Sequence, residues 1–212
     1  LFYQQIIIDL PELSEREQKL LPCYSSLLSE LGAGDNDYLA MQQWQSRVSG
    51  GVRMGLSMRT SLHDSQQASA HLVVSCKALH YHTDSFTLVR TTLEQLRFDE
   101  GERVQELLAQ RKARFEASIT DSGHALAMQT AGHSMSALSQ FEYRMSGLPA
   151  LRNLRELVAN TQTAQGVADL LAELQVIHHK VLAAPRQLFL IAEKERLSEL
   201  TAALQQAWAD AT

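Results

Sequence analysis

The sequence predicts an α+β fold in two layers: a mostly antiparallel sheet with helices packed on one face. Three observations carry this. The segments Val52–Met58 and Ala70–Ala78 alternate apolar and polar residues with a period of two. Between Phe86 and Val181 apolar residues instead recur every three to four positions, the period of helices. Short β-branched or aromatic runs, "YQQIIIDL" and "RQLFLIAEK", stand near the two ends. Few strands with many helices between them fit one sheet covered on one side.

Taken in order, Tyr3 to Leu10 is a buried strand that stops at Pro11. Ser14, with Glu17 three residues on, is a capping box. The helix it starts carries Leu20, Tyr24, Leu27, Leu28 and Leu31 on one stripe and ends at Gly32 and Gly34. Pro22 is expected to kink that helix or restart it. A second helix begins after Asp35 or Asp37, turns Tyr38, Met41 and Val48 inward, and ends at Gly50-Gly51. The two alternating segments, joined by "SLHDSQQAS", form a hairpin with one buried face, Val52, Met54, Leu56 and Met58 against Leu72, Val74, Cys76 and Ala78.

Five helices are expected next. Their markers are Phe86–Leu96, Val104–Ile119, a third over residues 122–147 ("SGHALAMQTAGHSMSALSQFEYRMSG"), Leu151–Val158 and Val167–Val181. The last strand comes after them, then an amphipathic helix through Leu197, Leu200, Leu204 and Trp208. The order is β-α-α-β-β-α-α-α-α-α-β-α. No internal repeat or low-complexity linker divides the chain, so residues 1–212 are expected to form a single domain.

The length suffices for a substantial core. The net charge is −5, with Lys and Arg scattered among acids, which argues against a nucleic-acid partner. No apolar run approaches the roughly 18 residues of a membrane helix, so no membrane partner is expected. Cys23 and Cys76 are far apart and outside any CxxC pattern. That points to a reducing compartment and a soluble, cytoplasmic protein. No signal-peptide pattern opens the chain. It starts at Leu1 in what reads as a strand, like a piece cut from something larger.

Cys23 is the first candidate nucleophile, but it sits inside a helix with no local histidine to activate it. A packed thiol is the ordinary outcome. His80 and His82, two apart at a strand end, share a side. His124 and His133 fall on different faces of a helix, and His178 and His179 diverge by about 100°. No HxxxH, HExxH or HxxEH occurs, so surface or capping roles are expected for the histidines. Glu94, Asp99, Glu100, Glu102 and Glu106 interleave with Arg90, Arg97 and Arg103, as on a solvated helix face. GxSxG, P-loop and GxGxxG patterns are absent. No catalytic, cofactor-binding or metal-ligating residue is assigned.

Two longer stretches carry a resemblance. "LLPCYSSLLSELGAGDNDYLAMQQWQSRVSGGV" and "ITDSGHALAMQTAGHSMSALSQFEYRMSGLPALRNLREL" resemble the third repeat of the presequence protease branch of the pitrilysin/insulinase zinc metallopeptidases. The resemblance implies four homologous α+β repeats around a closed chamber, with zinc held by HxxEH in the first. When "LPCYSSLLSELGA" is laid on such a catalytic stretch, Cys23 and Leu27 take the two histidine positions and Ser26 that of the glutamate base, while Gly32 keeps its place. The chain is therefore expected to be a non-catalytic repeat of a peptidase that degrades unfolded peptides, forming part of the chamber wall. This fragment would hold no cofactor, with zinc in the parent's catalytic repeat. Its partners would be adjacent repeats and peptide substrate. The alternatives are a stand-alone interaction or scaffold module, or a hydrolase using Cys23.

Overall fold

Alternation in three strands decides which way the sheet faces. In the computed structural model, which describes residues 1–61, 63, 64 and 67–209, β1 (Phe2–Asp9) turns Phe2, Gln4, Ile6 and Ile8 into the core. α1 (Glu15–Leu27) and α2 (Tyr38–Val48) come next, then β2 (Val52–Thr60) and β3 (Ala68–Ala78). Leu62, Ser65 and Gln66 of the expected hairpin loop lie outside the described residues. All pairings are antiparallel, and after β4 (Arg186–Ala192) joins, the strand order is β2-β3-β1-β4. Ile6 lies opposite both Val74 and Leu188, and Val74 lies opposite Met54, so one face runs continuously across all four strands.

The helices pack on that face. Leu72, Val74 and Cys76 of β3 are buried there, beneath Tyr24, Leu27 and Leu28 of the α1 region and Leu88 of α3 (Asp84–Glu94), while Ala78 is buried beside Phe86. The opposite face presents Tyr3, Arg53, Gly55, Lys77, Phe189 and Ile191, all exposed. The two-layer α+β architecture results from this asymmetry. Gln4 is buried on the core face, and it divides a large core around Ile6 and Ile8 from a smaller one built on Phe2, Phe86, Leu200 and Leu204.

Local signals set most boundaries. The Ser14 capping box is complete, and Asp37 caps α2 by accepting from the Ala40 N–H. Gly34 has a positive φ of 59°, and its N–H reaches the Gln95 carbonyl at 2.8 Å, tying the loop after α1 to the end of α3. α1 does not restart at Pro22: Glu15–Leu27 is one helix with Pro22 inside it. Arg111 of α4 (Gly101–Gly132) braces this turn, donating from Nη1 to the Pro22 carbonyl.

The expected helix over residues 122–147 is divided differently. Its first part continues α4 past a kink at Ser122, where φ/ψ of −118°/19° leaves the helical region. Its second part is α5 (Ala137–Ser146), a separate helix capped by Ser136, whose hydroxyl accepts from the Ser139 N–H. A serine that bonds the backbone locally competes with helix continuation, and here the cap prevails. α6 (Leu148–Asn160), α7 (Ala164–Ala183), β4, a 3₁₀ turn at Lys194–Arg196 and α8 (Leu197–Ala207) complete the chain. Among the described residues, no helix is long and apolar enough to cross a membrane.

Candidate functional site

The helix after the first strand is where catalytic chemistry would be sought, and α1 places its three candidate positions in different surroundings. Cys23 is 4% exposed. Burial pushes its thiol up to about 12, with the nearby Arg111 charge acting in the opposite direction. At neutral pH the group is a protonated, packed thiol and neither nucleophile nor thiolate ligand. Ser26 donates its hydroxyl to the Cys23 carbonyl at 2.8 Å, a bond within its own helix. Leu27 is a core residue.

These positions do not fit zinc. A zinc site needs several nitrogen, oxygen or thiolate donors converging on one point. Here there is one neutral buried thiol, one hydroxyl committed to backbone and one leucine. Among the described residues, no three His, Cys, Asp or Glu side chains are grouped so that they could hold a metal ion.

Beside α1 lies a groove of about 870 Å³ bounded by α1, α4, α6 and α7. Arg16 and Glu173 form an ion pair between α1 and α7 on its wall. Lys19 and Arg111 supply positive charge, and Glu15 and Asp169 negative charge. The mixture gives the groove no single sign with which to select a ligand.

The histidines are scattered. His80 and His82 belong to the turn between β3 and α3 and flank Tyr81, with ring centroids 5.2 and 4.5 Å from it. His124 is exposed on α4, and His133 contacts the Thr130 carbonyl through Nδ1 at 2.7 Å. His178 departs from expectation: it is buried in the core, while its neighbour His179 is exposed. Its Nδ1 lies 2.9 Å from the Tyr24 hydroxyl, and its Nε2 is buried without a partner. Burial lowers its pKa to about 4, with His179 adding to the effect. The signal is present in the sequence, since His178 is four residues after Leu174 and three before Val181 on the apolar stripe.

Two of the carboxylates expected on a solvated face are instead structural ties. Glu100 accepts the Gly32 N–H at 2.7 Å and the Tyr38 N–H at 2.9 Å, pinning the loop between α1 and α2 to the start of α4. Glu94 pairs with Arg90 at 2.7 Å and Arg186 at 3.5 Å, linking α3 to β4. Asp99 with Arg97 is a surface pair, as expected, whereas Arg103 is largely buried over the Tyr38 ring and reaches both Glu106 at 2.7 Å and Glu30 at 3.3 Å.

Fold and helix placement together define a domain of the M16 peptidase type. The chain belongs to the peptidase M16 (subfamily C) associated family, whose model matches residues 1–157. It is 22% identical over 177 residues to presequence protease 1, chloroplastic/mitochondrial, of Arabidopsis thaliana, covering 82% of this chain and 16% of that one. The chain therefore spans about a sixth of that relative's length. Among solved structures, a conserved protein from Enterococcus faecalis superposes with a TM-score of 0.57 at 15% identity, over 96% of this chain and 46% of that one. A peptidase M16 inactive domain from Pseudomonas fluorescens superposes with a TM-score of 0.51 at 13% identity, over 97% and 45%. Both likenesses are of fold. The presequence protease branch inferred from the α1 and α4–α6 stretches is thus the branch to which the sequence is similar.

Proposed function

We propose that residues 1–212 form one non-catalytic domain of a larger zinc-dependent peptidase, lying in the C-terminal half as the third of its repeats. The domain forms part of the wall of a chamber that takes unfolded peptides, and it contacts the adjacent repeats of the parent chain. Zinc belongs to the catalytic repeat of that parent. One observation supports the reading: α1, the helix behind the first strand, where the resemblance sets the family's catalytic helix, turns Cys23 and Leu27 into the core. A helix used this way contributes shape and stability and leaves the chemistry to another repeat.

The test uses the full-length parent. Cys23→Ala and Ser26→Ala remove no ligand and no base, so peptide hydrolysis stays within a few-fold of the unsubstituted enzyme, with zinc retained. Loss of a general base would cost roughly 10²–10⁴-fold. A hundred-fold fall for Ser26→Ala in a folded, zinc-replete protein overturns the proposal. So does a parent reading frame in which no HxxEH lies upstream, the outcome that favours a stand-alone interaction module.

A further inference from the structure

A second cleft, of about 480 Å³, opens between the end of α1 and one face of α4, beside Ser26. Its charges do not balance. Residues 107–115, "LLAQRKARF", carry three cations and no acid in a chain whose net charge is −5. Arg103, Arg111 and Arg114 line the cleft, and Glu30 is the one acid among the lining residues.

Arg103 is already neutralised. Its Nη1 donates to Glu106 and its Nη2 to Glu30, so one guanidinium meets two carboxylates. Arg111 and Arg114 lack such partners. Arg111 is half-buried and donates to the Pro22 carbonyl, a neutral acceptor that balances no charge. Among the described residues, neither Arg111 nor the exposed Arg114 has a carboxylate within ion-pair distance. The two stand three residues apart on α4, where side chains are neighbours on one helix face. Burial lowers the Arg111 pKa, and the Arg114 charge adds to the effect. Two neighbouring like charges, one of them part-buried, cost stability until an anion neutralises them.

We propose that this cleft is an oxyanion site, in which Arg111 and Arg114 together hold a carboxylate or phosphate group. Guanidinium forks suit such groups, because their N–H donors are spaced to meet two oxygens at once. Leu107 and Phe115 line the same cleft, so the body that carries the anion meets apolar surface there. Ser26 adds no donor, since its hydroxyl is given to the Cys23 carbonyl. Selection therefore rests on the two arginines. The site needs only α1 and α4, so it is independent of the role of the parent chain.

Equilibrium dialysis of the 212-residue chain in chloride buffer tests this with two probes. One is radiolabelled inorganic phosphate, and the other is a short blocked peptide with a single glutamate. Saturable uptake is expected, and it weakens at least about tenfold in Arg114→Gln, the cost of losing one charge-assisted hydrogen bond. Uptake of the peptide shows that acidic side chains enter the cleft, and uptake of phosphate alone restricts it to free oxyanions. Arg114→Glu supplies the missing carboxylate beside Arg111, so it abolishes uptake and raises the midpoint of thermal denaturation. Lys112→Gln removes the same charge from the same helix outside the cleft, and affinity stays within about twofold. All three variants keep the circular dichroism of the folded protein. The proposal is overturned if neither probe is taken up saturably, or if Arg114→Gln binds as the unsubstituted chain does. It is equally overturned if Lys112→Gln loses as much affinity as Arg114→Gln.

Discussion

The Tyr24 hydroxyl stands 2.9 Å from Nδ1 of His178, joining α1 to α7 inside the core. Whichever of the two donates, Nε2 has no partner, so a proton added to this ring would create an unpaired buried charge.

This pair predicts a stability that falls with acid. His178 has its folded pKa lowered to about 4, against about 6.5 in the unfolded chain. Between those values the unfolded state binds the proton and the folded state does not. Stability is therefore full above about pH 6.5 and declines as pH falls toward 4, by about 3 kcal/mol for this group. Urea denaturation across that range should show the decline, and His178→Phe should flatten it by that share. Equal slopes in both proteins would rule out a buried neutral His178.

The two faces of β3 should respond differently to charge. Val74 is fully buried, whereas Val73, on the open face, is half-buried. Val74→Asp is expected to remove several kcal/mol, enough to unfold a domain whose total stability is about 5–15 kcal/mol. Val73→Asp should cost about 1 kcal/mol or less, beside the exposed Gly55 across the ladder. Thermal denaturation of both variants checks this, and equal losses would mean that both faces of the sheet are covered.

The Cys23 thiol should be silent toward reagents in the native protein. Burial holds it protonated to about pH 12, although it lies at the wall of the groove beside α1. At pH 8 a native-state thiol titration should proceed only as fast as the chain opens, and denaturant should speed it sharply. Rapid labelling of Cys23 in the folded protein would revive the hydrolase reading.

Glu100 should prove more costly to remove than its neighbours. Glu100→Ala leaves the Gly32 and Tyr38 N–H groups without their acceptor, for an expected loss of about 2–3 kcal/mol. Hydrogen exchange at those two amides should accelerate. Glu102→Ala, on the exposed side of the same turn, should change neither.

Leu27→Asp should unfold this domain by placing a charge in the core between α1 and the sheet. In a full-length parent, circular dichroism would register the loss while zinc on the catalytic repeat stays bound. Survival of the fold would show that Leu27 can reach solvent.

Features that depend on neighbours along the chain are legible in the sequence. The Ser14 capping box, the Asp37 cap and the alternation of β3 each rest on residues within a few positions of one another, where backbone geometry alone fixes what can meet. The whole order of elements arises from such signals. The absence of a zinc-binding motif on α1 can also be read directly.

Other features need the tertiary structure. The apolar stripe of α7 already sets His178 inward and His179 outward, but that His178 meets the Tyr24 hydroxyl is decided only by how α7 packs against α1. Pro22 reads as a kink or a restart in sequence, and only the structure shows that the helix continues through it and that Arg111, 89 residues away, donates to its carbonyl. Glu94 and Glu100 read as solvated, but long-range packing supplies Arg186 and the Gly32–Tyr38 loop. β4 is as apolar as a buried strand, yet it lies at an edge. Strand order is set by pairing between distant segments, so composition within β4 cannot reveal that it stands last in the order β2-β3-β1-β4.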